Sequence, residues 1–415
     1  MFIVKNTRKT AAELYQVQAC YQRFDQKNDM TRQAHWNPEV SEMNKRQNEK
    51  LERLLQRGSN SGYRLVDWAF YVGASGNLAN TGFAISWPNR KGNSWQPLSK
   101  QASLNALLPA AKSYGKSDAN PATHNKLVKK MGQQFGADEV GFTLLDRRWV
   151  YSHWFDEETK DHYPIRFSDE PGYGAYQEPT QLEDRTQVIP ASMKYAIVLL
   201  HEMDDAGFAT APTLTHTATT LTAYSKISFT LVMLAEFIRA LGYNAIPSAN
   251  DTAVSIPLAI DAGLGELGRN GKLINPRFGP RCRISKIITD LPISVGYVKP
   301  WGVTEFCSVC KKCARSCPAG AIPMGERSFE PAGVFSQSGV YVWQIDHKKC
   351  YKCWERFGAG CGICIRVCPF NKSKQWFHNL AREAVKLKNR NVDSFMTRMD
   401  DALGYGKFRN KFWAI

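Results

Sequence analysis

Residues 306–318 read FCSVCKKCARSCP, and residues 361–369 read CGICIRVCP. The first stretch places Cys307, Cys310, Cys313 and Cys317 at the spacing C-x2-C-x2-C-x3-C, with Pro318 behind them. Two-residue gaps let three thiolates converge on one [4Fe–4S] cubane, while the fourth cysteine points to a second cluster. The second stretch repeats the pattern with Cys361, Cys364 and Cys368 but is one donor short. Either Cys350 or Cys353, just upstream, can complete it. Crossed ligation then groups Cys307, Cys310, Cys313 and Cys368 around one cluster, and Cys317, Cys361, Cys364 and the upstream donor around the other. A pair of zinc sites is the competing reading. Zinc sites use separated C-x2-C pairs and need no such run with a near-copy behind it. Clusters that share their motifs sit close together and form a short wire for single electrons.

Working outward, only Cys20 and Cys282 of the eleven cysteines lie outside the interval from Cys307 to Cys368, which argues against a disulfide framework. Both, like the spare upstream cysteine, read as small buried residues. The module spans about 303–372 of 415 residues, so most of the chain must serve something else. Hydrophobic residues make up 43% and charged residues 22%, a globular composition rather than a disordered one. Net charge is +16. Nucleic acid, an anionic membrane surface and an acidic redox partner would each suit it, and a solubilising surface is the plain alternative. The charge is dispersed, with no arginine-rich tail. No apolar run reaches the roughly 18 residues of a membrane span. The best candidate, 227–241, is broken by Glu236 and Arg239.

Residues 1–120 read as an irregular, Trp-rich region with loops at RGSNSG (57–62) and NRKGNSWQ (89–96). From 121 to 302 the pattern turns α/β. HNKLVKKMGQQFG predicts a helix stopped at Gly136, and ADEVGFTLL a strand. KYAIVLLHEM (194–203) predicts a buried strand, and Thr220 to Leu241 a long helix stopped at Gly242. YNAIPS is another strand, and AVSIPLAIDAGLGELGRNGKLI a helix leading into a glycine-rich turn. This order predicts a layered α/β (α+β) core with crossover connections. Residues 373–415 predict a basic, aromatic tail that packs back as helices. There is no Walker A sequence and no D-x-H-x-x-G. The glycines of AGLGELGRNG do not follow a strand, as a dinucleotide fingerprint would require.

Four segments then resemble one family: AGLGELGRNGKLINPRFGP (262–280), ITDLPI (288–293), GVTEFCSVCKKCARSCPAGAI (302–322) and MDDALGYGKFRN (399–410). In this order they resemble the corrinoid-dependent reductive dehalogenases, most of all the respiratory type. The likeness covers roughly 120–410. It implies a nitroreductase-like core that binds cobalamin base-off against a bacterial 2[4Fe–4S] ferredoxin module. It implies a proton-donating Tyr, which matches Tyr224 in ATTLTAYSKISF. Its Asn matches Asn250 in AIPSAND, and its Arg matches Arg283 in RCRISK. The family's C-x10-C gap matches Cys350 to Cys361, which makes Cys350 the upstream ligand. A pocket Trp matches Trp354. A Tyr that some members carry before the third cysteine is Gly360 here, so the resemblance does not fix the pocket's size or the substrate.

These residue types suit the chemistry. Carbon–halogen reduction needs a strong one-electron donor, a proton and relief for departing halide charge. A phenol, with pKa near ~10, is protonated at neutral pH and can act as an acid. An adjacent Arg stabilises the phenolate, and an Asn amide orients either group. Read alone, Tyr224 would be a core tyrosine, Arg283 a surface charge and Asn250 a helix N-cap. Gly263, Gly265, Gly268 and Gly271, with Asn270, are candidates for close approach to the corrin; a plain turn is the alternative. Trp36 and Trp68 are candidates for an apolar substrate pocket, with ordinary packing as the alternative.

The resemblance implies an organohalide substrate, a small membrane-anchor protein, an electron donor (a quinol chain or reduced carrier), no nucleic acid and room for a homodimer. The first thirty residues contain neither an apolar signal core nor a twin-arginine pair. The expectation is a mature form on the extracytoplasmic face of the membrane, with the cytoplasm as the alternative. Two other functions compete. Epoxyqueuosine reductase, a tRNA-modifying enzyme, shares the AGLG, ITDLP and cysteine motifs, and Asp251 lies where its acid would. A plain electron carrier is the third, and it would need neither the core nor the N-terminal region.

Overall fold

A computed structural model describes residues 9–58, 61–80, 115–372, 382–409 and 411–414. The loop expected at 89–96 lies outside them, as does part of the loop at 57–62. The described N-terminal part is mostly helical rather than irregular: α1 (Ala11–Leu14), α2 (Met30–Trp36), α3 (Pro38–Arg57) and α4 (Leu65–Asn80). Caps explain why. Asp29 accepts from Thr31 N to start α2, Asn37 accepts from Glu39 N before Pro38 to start α3, and Gly58 in a left-handed conformation ends it.

Helix α5 (Pro121–Gln134) follows an Asn120 cap and leads into β1 (Glu139–Leu144). A small sheet comes next: β2 (His153–Asp156), β3 (Asp161–Phe167), β4 (Thr180–Gln181) and β5 (Gln187–Ile189), in the order β2-β3-β5-β4. Then come β6 (Tyr195–Glu202), α6 (Leu214–Ala240), β7 (Ala245–Ser248) and α7 (Ser255–Asp261). The glycine-rich segment forms a tight hairpin, β8 (Glu266–Leu267) with β9 (Leu273–Ile274), before β10 (Cys282–Thr289).

The main sheet has the order β1-β6-β10-β7 and is antiparallel at every pairing. The buried run KYAIVLLHEM gives no sign of this, because β6 is covered on both faces and so lacks alternation. One face packs on α6 through Ile227, Leu231, Leu234 and Ile238, all fully buried; each such side chain is worth roughly 1.5–3 kcal/mol of transfer free energy. The other face packs on α7, on the small sheet and on α1. Among the described residues α6 is a helix long and apolar enough to cross a membrane. It begins at Leu214, before the expected Thr220, and its apolar face is spent on the sheet. Gly242, at φ +86°, reverses the chain after it.

Beyond β10 the cysteine module begins with α8 (Val303–Cys310), and the described tail contains α9 (Arg390–Ala402). The tail motif grips the module. Lys312 pairs with Asp400 and Asp401, Lys372 with Asp400 at 2.6 Å, and Arg315 with Asp401 at 3.1 Å. Gly406 lies against the backbone of Val367, where a Cβ would stand 2.7 Å from its Cα. The MDDALGYG segment is therefore a structural clamp.

Candidate active site and cluster ligands

Three elements meet where the sequence placed the chemistry. Helix α6 presents Tyr224, the turn after β7 presents Asn250, and β10 presents Arg283. Asn250 Nδ2 donates to Tyr224 Oη at 2.9 Å. The Arg283 guanidinium carbon stands 5.2 Å from the Tyr224 ring centroid, a cation–π contact. Arg283 Nε is buried and has no partner among the described residues. An orphaned guanidinium N–H beside a phenol is the arrangement expected where an anionic or polar ligand completes the site.

The Asn250 turn is held from behind by buried polar residues the sequence reading did not single out as supports. Asp251 Oδ1 accepts from Ala249 N at 2.8 Å, and the Ser248 hydroxyl donates to the Asp251 carbonyl at 2.5 Å. Lys286, fully buried on β10, donates to the Ala249 carbonyl at 2.7 Å and to Ser255 Oγ at 3.0 Å. Burial pushes Lys286 down to about 8, opposed by Asp251; burial pushes Asp251 up, opposed by Lys286. Gln26 Nε2 donates to the Asn250 carbonyl at 3.3 Å. Thr252 sits at φ +62°, a strained value for a β-branched residue.

The other candidates are placed as follows. Trp354 packs on Tyr351 at 5.0 Å, beside Met30, Val40 and Met43. Trp36 donates its indole N–H to the Lys27 carbonyl at 3.0 Å, and Trp68 stacks on Tyr71. None of these contacts includes Tyr224, Asn250 or Arg283. A Cβ at Gly263 would meet Tyr297 O at 2.6 Å, and one at Gly265 would meet Ile274 O at 2.5 Å. Both glycines also border a surface cavity of about 1010 Å³ with Lys299, Pro300 and Trp301. Gly268 and Gly271 face Ile274 and Ile345, and Asn270 Nδ2 donates to Cys364 O at 3.4 Å. Those three serve the hairpin and its contact with the cysteine module.

That hairpin fastens the module to the core. Glu266 accepts from Trp301 N, Gly302 N and Val303 N at 2.5, 3.1 and 3.3 Å, so its carboxylate caps α8 from another element. Arg269 is 1% exposed and donates to the carbonyls of Cys307, Pro323 and Gly325. The sequence reading concentrated on the glycines of AGLGELGRNG; the charged residues between them carry these contacts. His216, two turns before Tyr224 on α6, is buried against Gly362. Burial, with Arg283 adding, pushes it down to about 3, so it stays neutral.

The thiols form two adjoining sets, in contact where Cys313 meets Cys364 and Cys317. Cys368 feels the charges of Cys307, Cys313 and Cys310, while Cys364 feels Cys350 and Cys317, and Cys361 feels Cys364, Cys353 and Cys350. Cys307, Cys310, Cys313 and Cys368 line a cavity of about 300 Å³ with Phe306 and Phe370. Burial pushes Cys307 up to about 12 and Cys364 to about 11. Several thiolates cannot coexist in apolar surroundings unless a cation binds them, and iron supplies that charge. The donor set therefore fits two cubanes. Cys353, 5% exposed, belongs to the second set as a fifth thiol and hydrogen-bonds with Cys361.

A profile of the family described as "Reductive dehalogenase subunit" matches residues 15–293. The chain belongs to the reductive dehalogenase family. Residues 306–371 match the 4Fe–4S double cluster binding domain, so this reductive dehalogenase chain carries the two-cluster module that the cysteine spacing predicts. It is 38% identical over 301 residues to the tetrachloroethene reductive dehalogenase of Sulfurospirillum multivorans, covering 70% of this chain and 58% of that one. The chain thus spans little more than half the length of such relatives. It superposes on a reductive dehalogenase structure described for B12-dependent dehalogenation with TM-score 0.56 and 26% identity, over 71% of this chain and 38% of the other. A catabolic reductive dehalogenase shares the fold at TM-score 0.65 and 23% identity, over 94% and 47% of the two chains. The likeness to the epoxyqueuosine reductase of Listeria monocytogenes is shorter: 28% identity over 124 residues, 30% of this chain and 31% of the other.

Proposed function

We propose that the chain reduces a small organohalide, replacing halide by hydrogen, with cobalamin and two [4Fe–4S] clusters as its cofactors. The observation that carries this reading is the convergence of Tyr224, Asn250 and Arg283 from three separate elements, with the buried Arg283 Nε unpartnered among the described residues. Cobalamin, when bound, supplies a low-potential cobalt centre for the carbon–halogen bond, and the clusters feed it single electrons. Gly263 and Gly265, at the edge of the surface cavity, are the residues beside which it would be held. Cys350 is the upstream ligand of the second cluster.

Tyr224 holds the proton that the carbon takes once it has accepted electrons. Asn250 donates to the phenol oxygen, which leaves the hydroxyl hydrogen for the substrate and stabilises the oxygen after transfer. Arg283 lies over the ring and offsets the phenolate charge, and its unpartnered Nε offers a hydrogen bond to the departing halide. Trp354, Trp36 and Trp68 remain the pocket candidates, with Gly360 widening the site. A membrane-anchor partner, a quinol-linked or soluble electron donor, a homodimer and an extracytoplasmic location complete the proposal. Cell fractionation and co-purification test them.

The tRNA-modifying reading needs Asp251 as an acid that reaches substrate. Its side chain instead points inward, 3% exposed, bonded to Ala249 N and set against Lys286. Anaerobically reconstituted protein should contain about eight irons and one cobalt. Tyr224→Phe should keep both and lose about 10²–10⁴-fold in dehalogenation, the range for general acid help. Activity within a few-fold of wild type would remove Tyr224 as the donor.

A further inference from the structure

Asp25, His153 and His162 come together at the small sheet, well apart in sequence and separate from the side chains of Tyr224, Asn250 and Arg283. Asp25 bridges His153 in parallel, and β2 pairs with β3 so that His162 stands opposite Phe155, diagonal to His153. Diagonal residues of paired strands share a face. One ligand atom from each of the three side chains lies within 4.8 Å of the other two. His162 Nδ1 stands 2.5 Å from Asp25 Oδ2, and the imidazole centroids are 4.8 Å apart with a 33° tilt.

The hydrogen bond between Asp25 and His162 engages only one of the two imidazoles. A metal uses both. His153 Nδ1 lies 3.1 Å from Ser152 Oγ, which holds the ring; in the tautomer whose Nδ1 donates to that hydroxyl, Nε2 carries the lone pair. Nearby cations are engaged elsewhere: Lys27 with Asp161, Arg23 with the carbonyls of Val150, Tyr151 and Ile165, and Arg166 with Glu170.

We propose that Asp25, His153 and His162 bind one divalent transition-metal ion of the zinc class, separate from the iron and cobalt chemistry. Two nitrogens and one carboxylate oxygen are the donors that borderline metals take, with a water completing four-coordination. The ion clips the N-terminal segment to the β2–β3 hairpin. The next residue, Gln26, accepts from Phe155 N at 2.8 Å and reaches the Asn250 carbonyl, so the clip secures the segment that backs the Asn250 turn.

The test is an anaerobic zinc titration of the holoenzyme by calorimetry, in a Cys20→Ala background so that the exposed thiol contributes nothing. About one zinc per chain should bind saturably and raise Tm, as a ligand of the native state must. His35→Ala, which removes a half-exposed imidazole outside the trio, should keep the site. His153→Ala/His162→Ala should lose it while the cluster spectrum is unchanged. If that double variant does not fold, Asp25→Asn decides: it retains the size of the side chain and, as a direct ligand is lost, should weaken zinc binding by at least the ~10–100-fold that loss of an outer-shell partner costs. Absence of saturable binding to wild type, its survival in the double variant, or wild-type affinity in Asp25→Asn overturns the proposal.

Discussion

Cys353 is one thiol too many. It is buried in the same set as Cys350, Cys317 and Cys361, and proximity alone does not choose between it and Cys350. The proposed choice of Cys350 rests on the family resemblance, in which the ligand stands eleven residues before the next, as Cys350 does before Cys361. Cys350→Ala should therefore lose most of one cluster, about four of eight irons, whereas Cys353→Ala should leave iron content at the wild-type value. Iron analysis with the visible spectrum checks both, and the reverse pattern would move the ligand to Cys353. At the same scale, the trio shows what a single sequence conceals. Tyr224, Asn250 and Arg283 were picked out only through family resemblance, because the contacts that bring them together join residues 26 and 59 positions apart. Asp251 was legible as a candidate acid and not as a buried support, since nothing local reveals that Lys286 lies behind it.

Among the elements, α5, β1, β6, β7 and the body of α6 were readable because local caps, stops and apolar runs agree with their tertiary surroundings. Strand β10 was not. CRISKIIT puts Arg283 and Lys286 into the centre of the sheet, and only the buried partners of Lys286 make that tolerable. The small sheet was missed for a related reason: its strands are short, and His153, His162 and Pro164 break any β pattern. The β8–β9 hairpin read as a glycine-rich turn, but its energetic weight lies in Glu266. Three backbone N–H groups at the start of α8 depend on that one carboxylate. Glu266→Ala should cost about 1.5–3 kcal/mol in charge-assisted hydrogen bonds and loosen the helix that carries Cys307 and Cys310. The expected result is faster loss of one cluster to an iron chelator, with the second leaving at the wild-type rate.

Across the whole molecule, the cysteine module is fastened twice, by the hairpin on one side and by the tail on the other. Asp400 is 7% exposed and serves Lys312 and Lys372 together. Asp400→Asn leaves two largely buried ammonium groups facing a neutral amide. Breaking a buried pair of this kind typically costs about 3–5 kcal/mol. A lowered Tm should result, with faster amide exchange through α8 and α9 while β6 and β10 stay protected; unchanged exchange in α8 would show that the tail does not brace the module. The tail clamp also has a temporal consequence. During synthesis the cysteines of both motifs emerge before residues 400–406, so the clamp cannot close on a nascent module. Iron can be loaded in that interval, before residues 400–406 latch onto the module.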